Sequence, residues 1–96
     1  MLDNFPFEEN PNVAVLTCFC VLHEGKPILY VSHDLEDGMW QFLCGETHTE
    51  NVGMTVSLLD VYKLDESLAA LAKLPLGCEA ERKYNGDSWT ARNKNH

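Results

Sequence analysis

Short apolar blocks alternate with polar, glycine- or proline-bearing runs along this 96-residue chain. The longest block, VAVLTCFCVLH at 13–23, is rich in β-branched and aromatic residues and predicts a strand. Strand side chains alternate between faces, so Val13, Val15, Thr17, Phe19 and Val21 share one side and Ala14, Leu16, Cys18, Cys20 and Leu22 the other. Both sets are largely apolar, which predicts a central strand covered on both faces. The turn EGKP then leads to a second strand, ILYVSH at 28–33, and so short a loop predicts an antiparallel hairpin. DLEDG at 34–38 connects to a third strand, MWQFLC at 39–44, which completes an N-terminal meander. Residues 1–12 read as an irregular lead-in because Pro6 and Pro11 interrupt regular structure.

The pattern then changes period. Residues 46–53, ETHTENVG, are polar and read as loop, and MTVSL at 54–58 reads as a short extended piece feeding a helix at Ser57. Ser57 and Asp60 have the spacing of a capping arrangement, with LLDVY as one or two turns of helix. Asp65 caps a second segment, ESLAALAKL, whose Leu68, Leu71, Ala72 and Leu74 fall at helical spacing before Pro75 and Gly77 stop it. The last third predicts a hairpin with strands at 78–84 and 87–92 around Asn85-Gly86, and a polar tail at 93–96. No repeat, linker or low-complexity tract divides the chain, so residues 1–96 form one domain. The expected class is α+β: an antiparallel sheet of about five strands with one or two short helices packed on it. A chain of this size buries about 60–65% of its unfolded surface, enough for one modest core.

Charge narrows the partner classes. Residues 1–81 carry 14 acidic and 3 basic side chains, −11, while 82–96 carry Arg82, Lys83, Arg92 and Lys94 against Asp87, +3. Binding to nucleic acid needs a basic face, and the main body offers none. The surface suits solubility and the steering of basic partners. The segment MLDNFPFEENPN lacks the apolar core of a signal peptide, and no run reaches the roughly 18 apolar residues of a membrane span. The expected location is therefore cytoplasmic, with no membrane partner and with Cys18, Cys20, Cys44 and Cys78 reduced.

Candidate chemistry is sparse. Cys18 and Cys20 lie two apart on one expected strand face, with His23, His33, Cys44, His48 and Cys78 as further ligand types. Zinc knuckles instead place paired cysteines in tight turns with a second pair downstream, so these thiols read as small buried hydrophobes. HDLEDG misses the calcium-loop pattern, with His33 at the first position and Cys44 at the twelfth. Ser32, His33 and Asp34 are consecutive, so alternation separates them, and no nucleophile elbow is present. The six glycines stand singly, which excludes phosphate-cradling motifs. Trp89, near Tyr84, Arg82 and Arg92, reads either as a cross-strand packing residue or as an exposed interface anchor. No catalytic residue, metal ligand or cofactor is expected.

One resemblance adds to this reading. GKPILYVSH, then DGMWQFLCG, then SLLDVYKLDESLAALAKLPLG together resemble small bacterial proteins of unknown function. Their shared pattern is an acidic loop, Asp-Gly-x-Trp-x-Phe-x-x-Gly, a polar loop and a short helix. Some are grouped with immunity-type proteins that protect a bacterium from polymorphic toxins. Here Asp37, Gly38, Trp40, Phe42 and Gly45 carry the motif, and the wider likeness spans roughly residues 14–92. The resemblance implies protein binding to a basic partner such as a toxin, and brings no catalytic residues with it. The expected surface is the pair of loops carrying Asp34, Glu36, Asp37, Glu46, His48 and Glu50, with Trp89 a further candidate. Two other classes compete: a metal- or thiol-dependent enzyme using the cysteines or histidines, and a homo-oligomeric subunit paired through a strand edge or the Trp89 hairpin.

Overall fold

The computed structural model describes residues 5–45 and 53–93. Six strands, β1 (Ala14–Cys18), β2 (Tyr30–His33), β3 (Trp40–Leu43), β4 (Gly53–Ser57), β5 (Cys78–Glu81) and β6 (Thr90–Asn93), form one sheet in the order β4-β1-β3-β2-β5-β6. A five-residue helix α1 (Phe19–His23) follows β1, helix α2 (Leu58–Leu64) follows β4, and a 3₁₀ helix (Glu66–Leu71) follows α2. The class is α+β, as expected, but the sheet has one more strand than expected and is mixed. β1 and β3 run parallel, and every other pairing is antiparallel.

The block at 13–23 is the main correction. It leaves the sheet at Cys18 and turns into α1 instead of continuing as a strand. A run apolar on both faces satisfies a period of two and a helical period equally well, and length alone did not separate them. In the helix only Val21 is buried, while Phe19 is 44% exposed. The Cys20 carbonyl accepts from both Glu24 N and Lys26 N, and Gly25 at φ +70° closes the turn. With β1 ended so early, the EGKP hairpin cannot form. Residues 19–29 instead carry the chain past β3, so β2 pairs with β3 on the far side. The meander is thus reduced to its second half, the β2–β3 hairpin around 34–38.

Other local expectations hold at the caps, although the segment expected as a helix over ESLAALAKL is a 3₁₀ helix that ends at Leu71, before Leu74. The Ser57 hydroxyl accepts from Asp60 N, and the Asp65 carboxylate caps the 3₁₀ helix by accepting from Ser67 N. MTVSL is most of a full strand, β4, paired antiparallel with β1 along five residues. β5 and β6 pair as a hairpin, but its loop is longer than expected and β6 reaches Asn93. Among residues 84–87 only Gly86 has positive φ, and Asp87 N bonds Tyr84 O. That is the type II pattern, with the special conformation at one position and not at two.

Burial is one-sided. Val15 and Thr17, Val31 and His33, Trp40 and Phe42, and Ala80 face a core completed by Leu58, Val61, Leu68, Leu71 and Leu74. The irregular segment before β1 belongs to it too: Phe7 is buried and meets Trp40 edge-on at 5.2 Å between centroids. Trp40 Nε1 donates to Glu9 Oε2 at 3.0 Å, and the Trp40 ring stacks on His33 at 3.9 Å. The His33 Nδ1–H donates to the Leu74 carbonyl at 2.7 Å, since a carbonyl can only accept. The expectation that β1 is covered on both faces holds only at its end: Cys18 is buried, while on the same face Ala14 is exposed and Leu16 half-buried, because both later helices lie on the other side.

Arg82, just past β5, locks the C-terminal half to this core. Its guanidinium is buried, donates to Ile28 O at 2.9 and 3.1 Å and to Ser67 Oγ at 3.1 Å, and pairs with Asp65 Oδ2 at 2.6 Å. Removing one member of a buried pair leaves the other charge uncompensated, at a cost of about 3–5 kcal/mol. Arg82→Met should therefore lower stability by about that amount in urea unfolding. Arg92→Met, at the half-exposed pairs with Glu79 and Glu81, should change stability by less than about 1 kcal/mol. Equal effects of the two substitutions would show that Arg82 does not hold the fold together.

Candidate functional site

The side of the sheet that α2 and the 3₁₀ helix leave open among the described residues is built by period-two alternation, and on it Cys18 and Ser32 are nevertheless buried. Leu16, Gln41, Leu43, Tyr30, Ser32, Glu79, Glu81, Thr90 and Arg92 fall on it by register. Cross-strand hydrogen bonds join them. Tyr30 Oη donates to Glu79 Oε1 at 2.6 Å, and Arg92 Nε donates to Glu79 Oε2 at 2.7 Å. Arg92 Nη1 also meets Glu81 Oε1 at 2.6 Å. On the next rung Asp34 accepts from Ser32 Oγ at 2.6 Å and from Gln41 Nε2 at 2.7 Å. Three carboxylates and one guanidinium thus leave this face acidic. Desolvation and the bond to Glu79 push the Tyr30 hydroxyl up to about 12, so it stays a donor throughout the neutral range.

The 34–38 loop sits at one end of this face. Asp34 N and Gly38 N close it by bonding Met39 O and Asp34 O, with Gly38 at φ +70°. Asp34 is half-buried and held by the sheet, whereas Glu36 and Asp37 are exposed. Between the acids stands Leu35, 55% exposed, whose side chain lies over Gly77. Leu76, 51% exposed, reaches toward Gly38 from the neighbouring turn. The loop is therefore a small apolar patch with an acidic rim. Glu46, His48 and Glu50 lie outside the described residues. Trp89 is half-buried with its ring 4.2 Å below the Arg82 guanidinium, while Tyr84 is exposed.

A second cluster lies at the end of the parallel pair. Cys18 ends β1, Cys20 occupies the first turn of α1, and Cys44 follows β3. Their sulfurs all lie within 4.8 Å of one another. Cys18 and Cys44 are buried and Cys20 is half-buried. The expected shared strand face for Cys18 and Cys20 is not what joins them, since Cys20 is helical. Desolvation, then the adjacent Cys44 and the charge of Glu24, push the Cys20 thiol up to about 11. Cys78 lies elsewhere, on β5 opposite His33.

No family model, curated protein or solved structure matches this chain.

Of the sequence-predicted residues, the structure brings Asp34, Glu36 and Asp37 together on one loop and sets Trp89 apart in the Arg82 network. Sequence reasoning named no site role for Tyr30, Gln41, Glu79 and Glu81, and set Arg92 beside Trp89 instead of with them. Their signal was the alternation within YVSH, CEAE and TARN, visible only once those segments are known to be neighbours. Among the described residues no helix is long and apolar enough to cross a membrane.

Two titrations follow. Thiolate is the reactive form, so alkylation of Cys20 should be slow at neutral pH and rise about tenfold per pH unit toward pH 11. Rapid labelling of folded protein at neutral pH, read by peptide mass spectrometry, would contradict that desolvated setting. A Tyr30 raised from 10 to about 12 stabilises the fold below pH 10, and that contribution disappears as pH rises through 12. Tyr30→Phe should accordingly flatten the loss of stability between pH 10 and 12, measured by urea unfolding across that range.

Proposed function

We propose that this chain is a non-enzymatic protein-binding domain for a basic partner, using the open sheet face and the adjoining 34–38 loop. The observation that carries this reading is the grouping of Asp34, Glu79 and Glu81 on one uncovered face against a single Arg92, beside exposed Leu35 and Leu76. Like-signed charge in a body at −11 over residues 1–81 speeds encounter with a cationic surface. The two leucines and Tyr30 supply desolvatable contact area once the partner has docked, the usual division between an apolar centre and a polar rim. Toxin neutralisation is the narrower form of this proposal, drawn from the resemblance carried by Asp37, Gly38, Trp40, Phe42 and Gly45. It needs a binding surface and no catalytic group.

The test uses the intact chain as bait in lysate of the source cells, at low and moderate salt. Any protein captured is then purified and its affinity measured against wild type and two variants. Glu36→Lys/Asp37→Lys and Glu81→Lys change exposed acids and keep the Asp34 bonds, at the cost of the Met39 N bond to Asp37 in the first and of the Arg92 pair in the second. The expected result is a basic partner whose affinity falls about tenfold or more in the double variant and weakens as salt rises. Unchanged affinity of both variants at low salt would remove this surface from consideration.

A further inference from the structure

Three of the four cysteines converge from three separate places in the topology, a strand end, a helical turn and the residue after a parallel neighbour. Three sulfurs no more than 4.8 Å apart all lie within about 2.8 Å of some common point. Reaching a thiolate–metal bond of about 2.3 Å asks each side chain to move about half an ångström. No histidine or carboxylate among the described residues joins the three sulfurs at the same spacing. We propose that Cys18, Cys20 and Cys44 form a three-thiolate binding site for a soft d¹⁰ cation, with Cu(I) as its occupant.

Donor chemistry decides the class of ion. Thiolates select Cu(I), zinc and iron–sulfur clusters over hard cations, which want oxygen. Among the described residues three sulfurs converge without a fourth protein ligand, which suffices for three-coordinate Cu(I), whereas a zinc ion there would need water or a further ligand to fill its four-fold shell. The placement also suits capture: Cys18 is held in the sheet, buried Cys44 directly follows β3, and half-buried Cys20 gives the ion a way in from solvent. Each thiol that coordinates releases its proton to solvent, and the copper keeps its oxidation state, so no oxidant is required. Packing alone accounts for buried Cys18 and Cys44 as small apolar side chains. The half-exposed third thiol, Cys20, is held against Cys44 by a side-chain hydrogen bond, which keeps the three sulfurs together before any ion arrives.

The experiment titrates the reduced, full-length protein with Cu(I) under anaerobic conditions against a chromophoric Cu(I) chelator, with Zn(II) in a parallel series. We expect one equivalent of Cu(I) to be withdrawn from the chelator. At alkaline pH, where metal-free Cys20 labels, bound metal should protect Cys20 from alkylation in wild-type protein while leaving Cys78 open, a readout that needs no variant. Cys20→Ser should weaken binding by more than about a hundredfold, and Cys78→Ser should leave it unchanged. Failure to compete with the chelator, equal affinity in Cys20→Ser, or protection independent of these three thiols would overturn the site. Tight Zn(II) binding with weak Cu(I) binding would overturn the assignment of the ion.

Discussion

The parallel alignment of β1 with β3 is the constraint from which the rest of the sheet follows. It pairs Thr17 with Phe42, and the Thr17 hydroxyl donates across that pair to the Phe42 carbonyl at 2.6 Å with both residues buried. Two strands joined by a tight turn can only be antiparallel, so a parallel partner for β1 must come from further along the chain. β3 takes that place, and β2 is displaced to its outer side. The chain then has to leave the sheet after Cys18, and α1 together with residues 24–29 provides the crossing. The same alignment puts the end of β1 beside the residues that follow Phe42. That is why Cys18 and Cys44, 26 positions apart, become neighbours.

One-sided covering follows from how few elements are available. Helix α2, the 3₁₀ helix and the segment through Phe7 all pack on the Val15, Val31 and Phe42 side. Nothing among the described residues is left to cover the other side, which is instead made tolerable to water by polar cross-strand pairs. Arg82 holds the covering layer in place. A buried guanidinium is unfavourable unless its donors are met, and here Ile28 O, Ser67 Oγ and Asp65 Oδ2 meet them while Trp89 lies beneath. The 3₁₀ helix, the start of β2 and the β5–β6 loop are thereby tied to one cation. Trp89 contributes to that joint, which explains its partial burial in a hairpin whose strand β6 is otherwise exposed.

Local chemistry was legible in the sequence and non-local choice was not. Ser57 with Asp60, Asp65 ahead of Ser67, and Gly38 and Gly77 at their turns all act through residues within a few positions. Their physical signals survive whatever the rest of the chain does. The segment VAVLTCFCVLH carried no such signal, because apolar residues on every side leave the period undetermined. Its fate was fixed by β3, whose competition for the place beside β1 no local rule describes. Asn85-Gly86 was read correctly as the turn of the C-terminal hairpin, but its strands are shorter than expected, and Arg82 reaches Asn85 Oδ1 at 3.4 Å across the longer loop.

The same distinction separates the two candidate surfaces. Electrostatic attraction acts over about a Debye length and depends on how many charges lie on one side, so the excess of acid was readable from composition. Which acids share a face depends on register: Glu79 and Glu81 join Tyr30 only because β5 pairs with β2. Thiol chemistry is stricter still. Ligation is decided over a few ångströms, so CFC in the sequence says little until Cys44 arrives from another strand. A cysteine pair two residues apart on a regular strand would have remained ordinary core. The break from β1 into α1 is what changes the direction of Cys20, and that break exists because β3 claims the adjacent place in the sheet. The feature that defeated the reading of residues 13–23 as one strand is therefore also the one that assembles the thiol cluster.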